Sequence, residues 1–252
     1  MEKEPLVCPV CRAMCQLIDV VDLNKSCIEA QGKRLVLAEY PVYYALCGEC
    51  GFCFAPEMHG WSLEEFEEWI YNDEYSLVDP DFLGSRAREN AALLPSMFPN
   101  LPANIKHLDY GGGDGLLASL LREANWLSTS YDPFIDRSTH PAQLGNFELI
   151  TAFEVFEHVP DVQQLMADLR ALITPGGLIL FSTLLSDGNI DPLQRLSWWY
   201  AAPRNGHISL YSKQSLTQLA RQSGFQFGSF SPYFHFFCES VPPWAAHVIP
   251  DH

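Results

Sequence analysis

Two Cys-x-x-Cys pairs, CPVC at 8–11 and CGEC at 47–50, stand 35 residues apart. Each pair presents two thiolates from one tight turn, and two such turns can close a tetrahedral site around one metal ion with no open coordination position. Cys8, Cys11, Cys47 and Cys50 are therefore the expected ligands of a structural Zn2+. The β-branched and aromatic run LVLAEYPVYYAL (35–46) between them reads as strand, and the whole as a zinc ribbon. Cys15, Cys27 and Cys53 read as small buried residues, although Cys-x-x-Cys-x-x-Cys over 47–53 also has iron–sulfur spacing. Seven of the eight cysteines fall within the first 53 residues, a clustering that favours a metal over disulfides in a reducing compartment.

The second chemical signal is LDYGGGDG at 108–115. Glycine inside an element costs stability, so four in five positions directly behind a strand imply a tight turn or close approach of backbone to a ligand. In α/β sheets that is where nucleotides bind, against backbone N–H groups and a helix N-terminus. The spacing Asp109-x-Gly111-x-Gly113-x-Gly115 departs from the dinucleotide fingerprint, and the Gly-Lys-Ser/Thr of a phosphate loop is missing. The next strand ends in Tyr131-Asp132, where an acidic side chain can accept both hydroxyls of a ribose.

The elements that must position these residues follow from patterning. Residues 1–57 form the ribbon. Residues 58–104 read as a helical linker, with a capping box at Ser62 and Glu65 opening a helix over 62–75. Its apolar face is Leu63, Phe66, Trp69 and Ile70, and a second helix is expected over 86–98. Residues 105–252 alternate strand and helix, which implies an α/β fold: a Rossmann-like, mostly parallel sheet with helices on both faces. Strands are expected at 105–110, 127–132, 147–153, 177–185, 225–230 and 233–237. Helices are expected at 116–125, 161–173 and 212–224, the last capped by Ser212 and stopped by Gly224.

Composition limits the partners. A net charge of -16 argues against nucleic acid and against anionic membrane, which both need basic surface. No apolar run of about 18 residues occurs, and MEKEPLVCPV lacks an apolar leader core, so the chain reads as cytoplasmic. Composition is silent on oligomeric state.

Taken together, LDYGGGDG, Tyr131-Asp132, TAFEVFEHVPD (151–161) and LITPGGLILFSTL (172–184) resemble class I S-adenosylmethionine-dependent methyltransferases over about residues 105–237. With the ribbon and YNDEY (71–75) upstream, the chain resembles a subgroup carrying a zinc-binding module before this domain. The resemblance implies an enzyme that methylates a small-molecule acceptor, such as a sugar, a nucleotide sugar or another secondary metabolite. It implies S-adenosyl-L-methionine as cofactor, with Asp109, Gly111 and Gly113 around its methionine moiety and Asp132 on its ribose. Phe153 and Glu154 would border the sulfonium. Only 14 residues separate Asp132 from Phe147, too few for the family's usual helix and strand. Either the sheet is one strand short or the segment is abbreviated. The alternatives are a zinc-ribbon RNA methyltransferase and a non-enzymatic binding module.

Methyl transfer from a sulfonium demands positioning and exclusion of water, with a general base only for an acceptor protonated at neutral pH. The candidates are His158, Glu154 and His207, with Glu157 orienting His158. His207 lies in the aromatic connection LSWWYAAPRNGHISLYS (196–212), whose Trp198, Trp199 and Tyr200 suit a sugar or planar ring. Arg204 in the same connection is a candidate phosphate or carboxylate contact.

Overall fold

The computed structural model describes residues 5–249, apart from the side chains of Phe82 and Leu83. The outermost residues of the expected 1–57 and 105–252 segments, 1–4 and 250–252, lie outside the described residues, as does the start of the MEKEPLVCPV stretch. Among the described residues the strands are β1 (Cys15–Asp22), β2 (Pro41–Cys47), β3 (Cys53–Phe54), β4 (Lys106–Tyr110), β5 (Leu127–Tyr131), β6 (Phe147–Phe153), β7 (Ile173–Ser182), β8 (Ser209–Leu210), β9 (Gln226–Ser229) and β10 (Phe234–Cys238). The helices are α1 (Leu63–Trp69), α2 (Tyr75–Val78), α3 (Ser85–Met97), α4 (Leu116–Glu123), α5 (Val162–Leu172) and α6 (Lys213–Gln222). Among the described residues no helix is long and apolar enough to cross a membrane.

The chain folds into two compact units, neither continuous in sequence. One comprises residues up to Pro80, Glu157–Gln163 and Leu184–Leu219; the other comprises Asp81–Phe156, Gln164–Thr183 and the residues from Ala220 onward.

The second unit is built on a six-stranded sheet in the order β5-β4-β6-β7-β10-β9. Its first four strands are parallel, β10 runs antiparallel to β7, and β9 pairs antiparallel with β10. Its central strands read as nearly continuous apolar runs, Leu149 to Ala152 and Leu178 to Phe181, because helices cover both faces. Alternation along β7 and β10 sends Leu180 and Phe236 to one side, with Leu94, Leu117 and Leu121. Phe181 and Phe237 go to the other, where rings stack at 4.5 Å and Phe156 lies 4.3 Å from Phe181. Residues 133–146 hold only a 3-10 turn, Pro141–Gln143, so the sheet is one strand short and β5 is its edge. Arg122 blunts that edge by donating to the Ser128 carbonyl at 3.1 Å. β7 begins at Ile173, four residues before the expected Gly177, with Gly176 at φ 72° inside it.

The first unit carries an antiparallel sheet, β1-β2-β3-β8. Three of its four strands, β1, β3 and β8, were not expected. β1 pairs with β2 along its length, and Ser209–Leu210, inside the aromatic connection, pairs with Cys53–Phe54. The strand expected over 35–46 starts only at Pro41, because the Asp22 carboxylate accepts the N–H groups of Ala38 and Glu39 at 2.9 Å and bends the preceding backbone. The Ser62–Glu65 capping box forms as expected. The helix it opens ends near Ile70, however, and a second turn starts at Tyr75. Phe66 and Ile70 are buried, whereas Leu63 and Trp69 are 38% and 43% exposed. The expected four-residue apolar face is therefore half as wide. Ser212 accepts the Ser215 N–H at 3.0 Å, and Gly224 at φ 77° ends α6.

Two buried imidazoles, His107 and His235, and the half-buried His59 tie stability to pH. Burial pushes His107 down to about 3 and His59 and His235 to about 4. Free in the unfolded chain they titrate near 6.5. Their contribution is therefore complete above pH 6.5 and is lost as pH falls toward 4, where the unfolded state takes up the protons. Asp109, raised to about 7 by burial, acts with the opposite sign, but it is one group against three. The zinc-loaded protein is thus expected to melt several degrees lower at pH 5 than at pH 7.5. An unchanged or higher melting temperature at pH 5 would contradict this reading.

Candidate active site and four-cysteine centre

Cys8 and Cys11 flank the turn before β1; Cys47 ends β2 and Cys50 follows it in the next turn. The four sulfurs all lie within 4.8 Å of one another, with Cys8 to Cys50 at 3.6 Å and Cys11 to Cys47 at 3.3 Å. Tetrahedral Zn–S bonds of about 2.3 Å require sulfurs roughly 3.8 Å apart, so the cradle fits a zinc ion. The Cys11 N–H points at the Cys8 sulfur and the Cys50 N–H at the Cys47 sulfur, both at 3.5 Å, which favours thiolates. Cys15 and Cys53 are buried in neighbouring strands and do not join this group.

In the second unit the glycine turn follows β4. Gly111 and Gly113 have φ of 74° and 55°, and a β-carbon on Gly111 would collide with Val155. Tyr131, at the end of the adjacent parallel strand, accepts the Gly111 N–H at 2.8 Å. The Asp132 carboxylate accepts the Gly113 N–H at 3.0 Å with one oxygen and the Phe134 N–H at 2.8 Å with the other. The turn and the acidic residue are thereby locked together at the C-terminal ends of two neighbouring parallel strands, where open α/β sheets bind ligands. Asp109 is 4% exposed and accepts a hydrogen bond from Thr151 at 3.0 Å. Burial pushes it up to about 7, against the pull of Thr151 and with a push from the charge of Asp132. An open groove of about 590 Å³ lies beside the outer edge of β5 and Arg122, and none of Asp109, Gly111, Gly113 or Asp132 lines it.

At the end of β6, Phe153 packs on Phe234 with centroids 5.9 Å apart. Glu154 adopts φ 54°, a left-handed backbone that costs a non-glycine residue about 1–3 kcal/mol. Its surroundings hold it there. Ser182 and Tyr233 donate to one carboxylate oxygen at 2.9 and 2.7 Å, Arg86 approaches the other at 3.4 Å, and the Glu154 N–H donates to Ser182 at 2.8 Å.

The first unit gathers Glu157, His158 and His207, whose ligand-capable atoms lie within 4.8 Å of one another. Glu157 accepts a short hydrogen bond from the Tyr200 hydroxyl. His207 Nδ1 donates to the Tyr200 carbonyl at 2.9 Å, which leaves its Nε2 as the basic nitrogen. The His158 ring is 5.0 Å from that of His207, with its Nδ1 3.2 Å from the Tyr71 hydroxyl. The aromatic connection divides between core and surface, with Trp198 buried and Trp199 39% exposed. Arg204 is not an anion contact. It is 4% exposed and donates to the Ile70 carbonyl at 2.8 Å and to Asn72 at 3.0 Å, bracing the chain after α1.

Sequence reasoning missed the residues that hold the candidates in place. Arg86, Ser182 and Tyr233 fix Glu154, Thr151 holds Asp109, and Tyr71 flanks the histidine pair. Tyr71 and Thr151 stand inside the segments YNDEY and TAFEVFEHVPD, but partners 28 to 87 residues away leave no local signal.

Residues 82–228, more than half of the chain, match the family described as a methyltransferase domain. The ubiquinone biosynthesis O-methyltransferase of Colwellia psychrerythraea is 32% identical over 92 residues, covering 36% of this chain and 37% of that protein. The protein of the same name from Coxiella burnetii is 33% identical over 102 residues, covering 31% and 44%. The chain thus spans less than half the length of these curated relatives. Human N-acetylserotonin methyltransferase, solved in complex with S-adenosylmethionine, shares the fold with a TM-score of 0.52 at 18% identity, over 73% of this chain and 62% of that one.

Proposed function

Since the chain belongs to the methyltransferase-domain family, we propose that it transfers the methyl group of S-adenosylmethionine to a hydroxyl of a small molecule, such as a sugar or another secondary metabolite. The observation that carries this is the Asp132 carboxylate locked onto the Gly113 N–H at the ends of parallel strands. That arrangement suits a ribose held at Asp132 and a methionine moiety held at Asp109, Gly111 and Gly113. When bound, the cofactor supplies an activated methyl group. The protein's own tasks are to orient the acceptor, exclude water and remove the hydroxyl proton. Phe153 and Glu154 would border the sulfonium. His158 is assigned as the base, beside His207 and Glu157. A hydroxyl acceptor is favoured because a base is needed there, and because the two relatives are named O-methyltransferases. With Arg204 buried against backbone, a phosphate-bearing acceptor loses its one candidate contact, which favours an uncharged sugar or ring hydroxyl. The four cysteines are assigned to a structural zinc, and the reaction to the cytoplasm, where thiolates stay reduced.

Calorimetric titration of the zinc-loaded protein with S-adenosylhomocysteine tests the cofactor assignment, with micromolar binding expected. No binding by folded protein would overturn it and favour the non-enzymatic alternative. With an acceptor identified by screening, His158→Ala is expected to lower kcat by roughly 100- to 10,000-fold at unchanged S-adenosylhomocysteine affinity. A kcat within threefold of wild type would remove His158 as the base.

A further inference from the structure

Beneath the glycine turn a buried polar chain leads to Asp109, and its other members have no part in the proposed transfer. It crosses three adjacent parallel strands, β5, β4 and β6. His107, fully buried, places Nδ1 2.7 Å from the Ser128 hydroxyl and Nε2 2.9 Å from the Thr151 hydroxyl. Thr151 in turn lies 3.0 Å from Asp109. Each hydroxyl has one proton, and a neutral imidazole has one N–H. The direction of the whole chain is therefore decided at one end. With Asp109 ionised, Thr151 must donate to it, His107 must donate from Nε2 to Thr151, and Ser128 must donate to Nδ1. With Asp109 protonated on the oxygen that faces Thr151, its hydroxyl can donate to Thr151 and every bond can then reverse, which would put the imidazole proton on Nδ1. The imidazole stays neutral throughout, because complete burial opposes its charge.

We infer that His107, acting through Thr151, is a positioning residue that keeps Asp109 ionised and aligned behind the glycine turn. The geometry makes this specific. Thr151 holds one carboxylate oxygen, while the other lies 2.6 Å from where a side chain on Gly112 would begin, so it faces the backbone of the turn. The charged neighbour is Asp132, from the end of β5, whose repulsion opposes ionisation of Asp109. Thr151 and, through it, His107 counter that repulsion from β6 and β4. The consequence for cofactor binding rests on the function proposed above; the state of the chain does not.

The test is the titration of the Asp109 carboxyl and of the His107 nitrogens by NMR in the cofactor-free protein, for wild type, Thr151→Val, Thr151→Ser and His107→Gln. In wild type the His107 proton is expected on Nε2 wherever Asp109 is ionised. Thr151→Val should move the Asp109 midpoint to higher pH. Thr151→Ser should restore it, and His107→Gln, whose amide can still donate to Thr151, should leave it nearly in place. An Asp109 midpoint equal in Thr151→Val and wild type, or a His107 proton on Nδ1 while Asp109 is ionised, overturns the inference. Titration with S-adenosylhomocysteine adds the functional readout: at pH 7 Thr151→Val is expected to bind roughly tenfold more weakly, with the deficit shrinking at pH 9. Wild type that binds no S-adenosylhomocysteine would sink the cofactor assignment alone, since the apo titration still decides the inference.

Discussion

Serine at both Cys8 and Cys47 is expected to empty the four-cysteine centre and to disorder the sheet β1-β2-β3-β8. The two substitutions remove one thiolate from each Cys-x-x-Cys turn, and the remaining Cys11 and Cys50 cannot hold a tetrahedral ion. The effect should be large because all four sulfurs converge within 4.8 Å from the two turns. The described cysteines form no disulfide, and Cys47 lies opposite Cys15 where β1 and β2 pair. Structural zinc in small modules contributes roughly 10–16 kcal/mol to folding. That is comparable to the whole usual stability of a domain, about 5–15 kcal/mol. Metal analysis should find about one zinc per chain in wild type and almost none in the double variant, with a markedly lower melting temperature. Purified wild type that contains no zinc would end the structural-zinc assignment.

Replacing Asp132 by Ala should weaken S-adenosylhomocysteine binding by roughly a hundredfold, the loss of one or two hydrogen bonds to a charged group at about 1.5–3 kcal/mol each. Two losses combine in this variant. The proposed ribose acceptor disappears, and the Gly113 and Phe134 N–H groups lose the carboxylate that orients them. Asp132→Asn separates the two, because its single oxygen can still accept one of those N–H groups while the charge is gone. Intermediate affinity is expected for Asn. Equal affinity of Ala and wild type would show that the ribose sits elsewhere.

What the amino-acid order determined by itself was everything with a short repeat. Period-two and period-3.6 patterning marked the strands and helices of residues 105–238, and the capping residues Ser62 and Ser212 act as the local pattern implied. The glycines at 111 and 113 declared a left-handed turn, since other residues adopt positive φ only at a cost. The paired Cys-x-x-Cys spacing declared a four-thiolate centre.

Tertiary structure decided what depends on distant partners. Ser209–Leu210 reads as part of a long loop, yet it completes the antiparallel sheet by pairing with residues more than 150 positions earlier, because both are fully buried there and their backbone groups need partners. Arg204 reads as a ligand contact, and burial turned it into a brace for backbone carbonyls. Glu154 carries no local sign of its left-handed backbone, which Arg86, Ser182 and Tyr233 hold from three other segments. The polar chain from Ser128 to Asp109 exists only because β5, β4 and β6 lie side by side. Local geometry is written in short spacings, whereas satisfying a buried polar group requires neighbours that only the folded chain supplies.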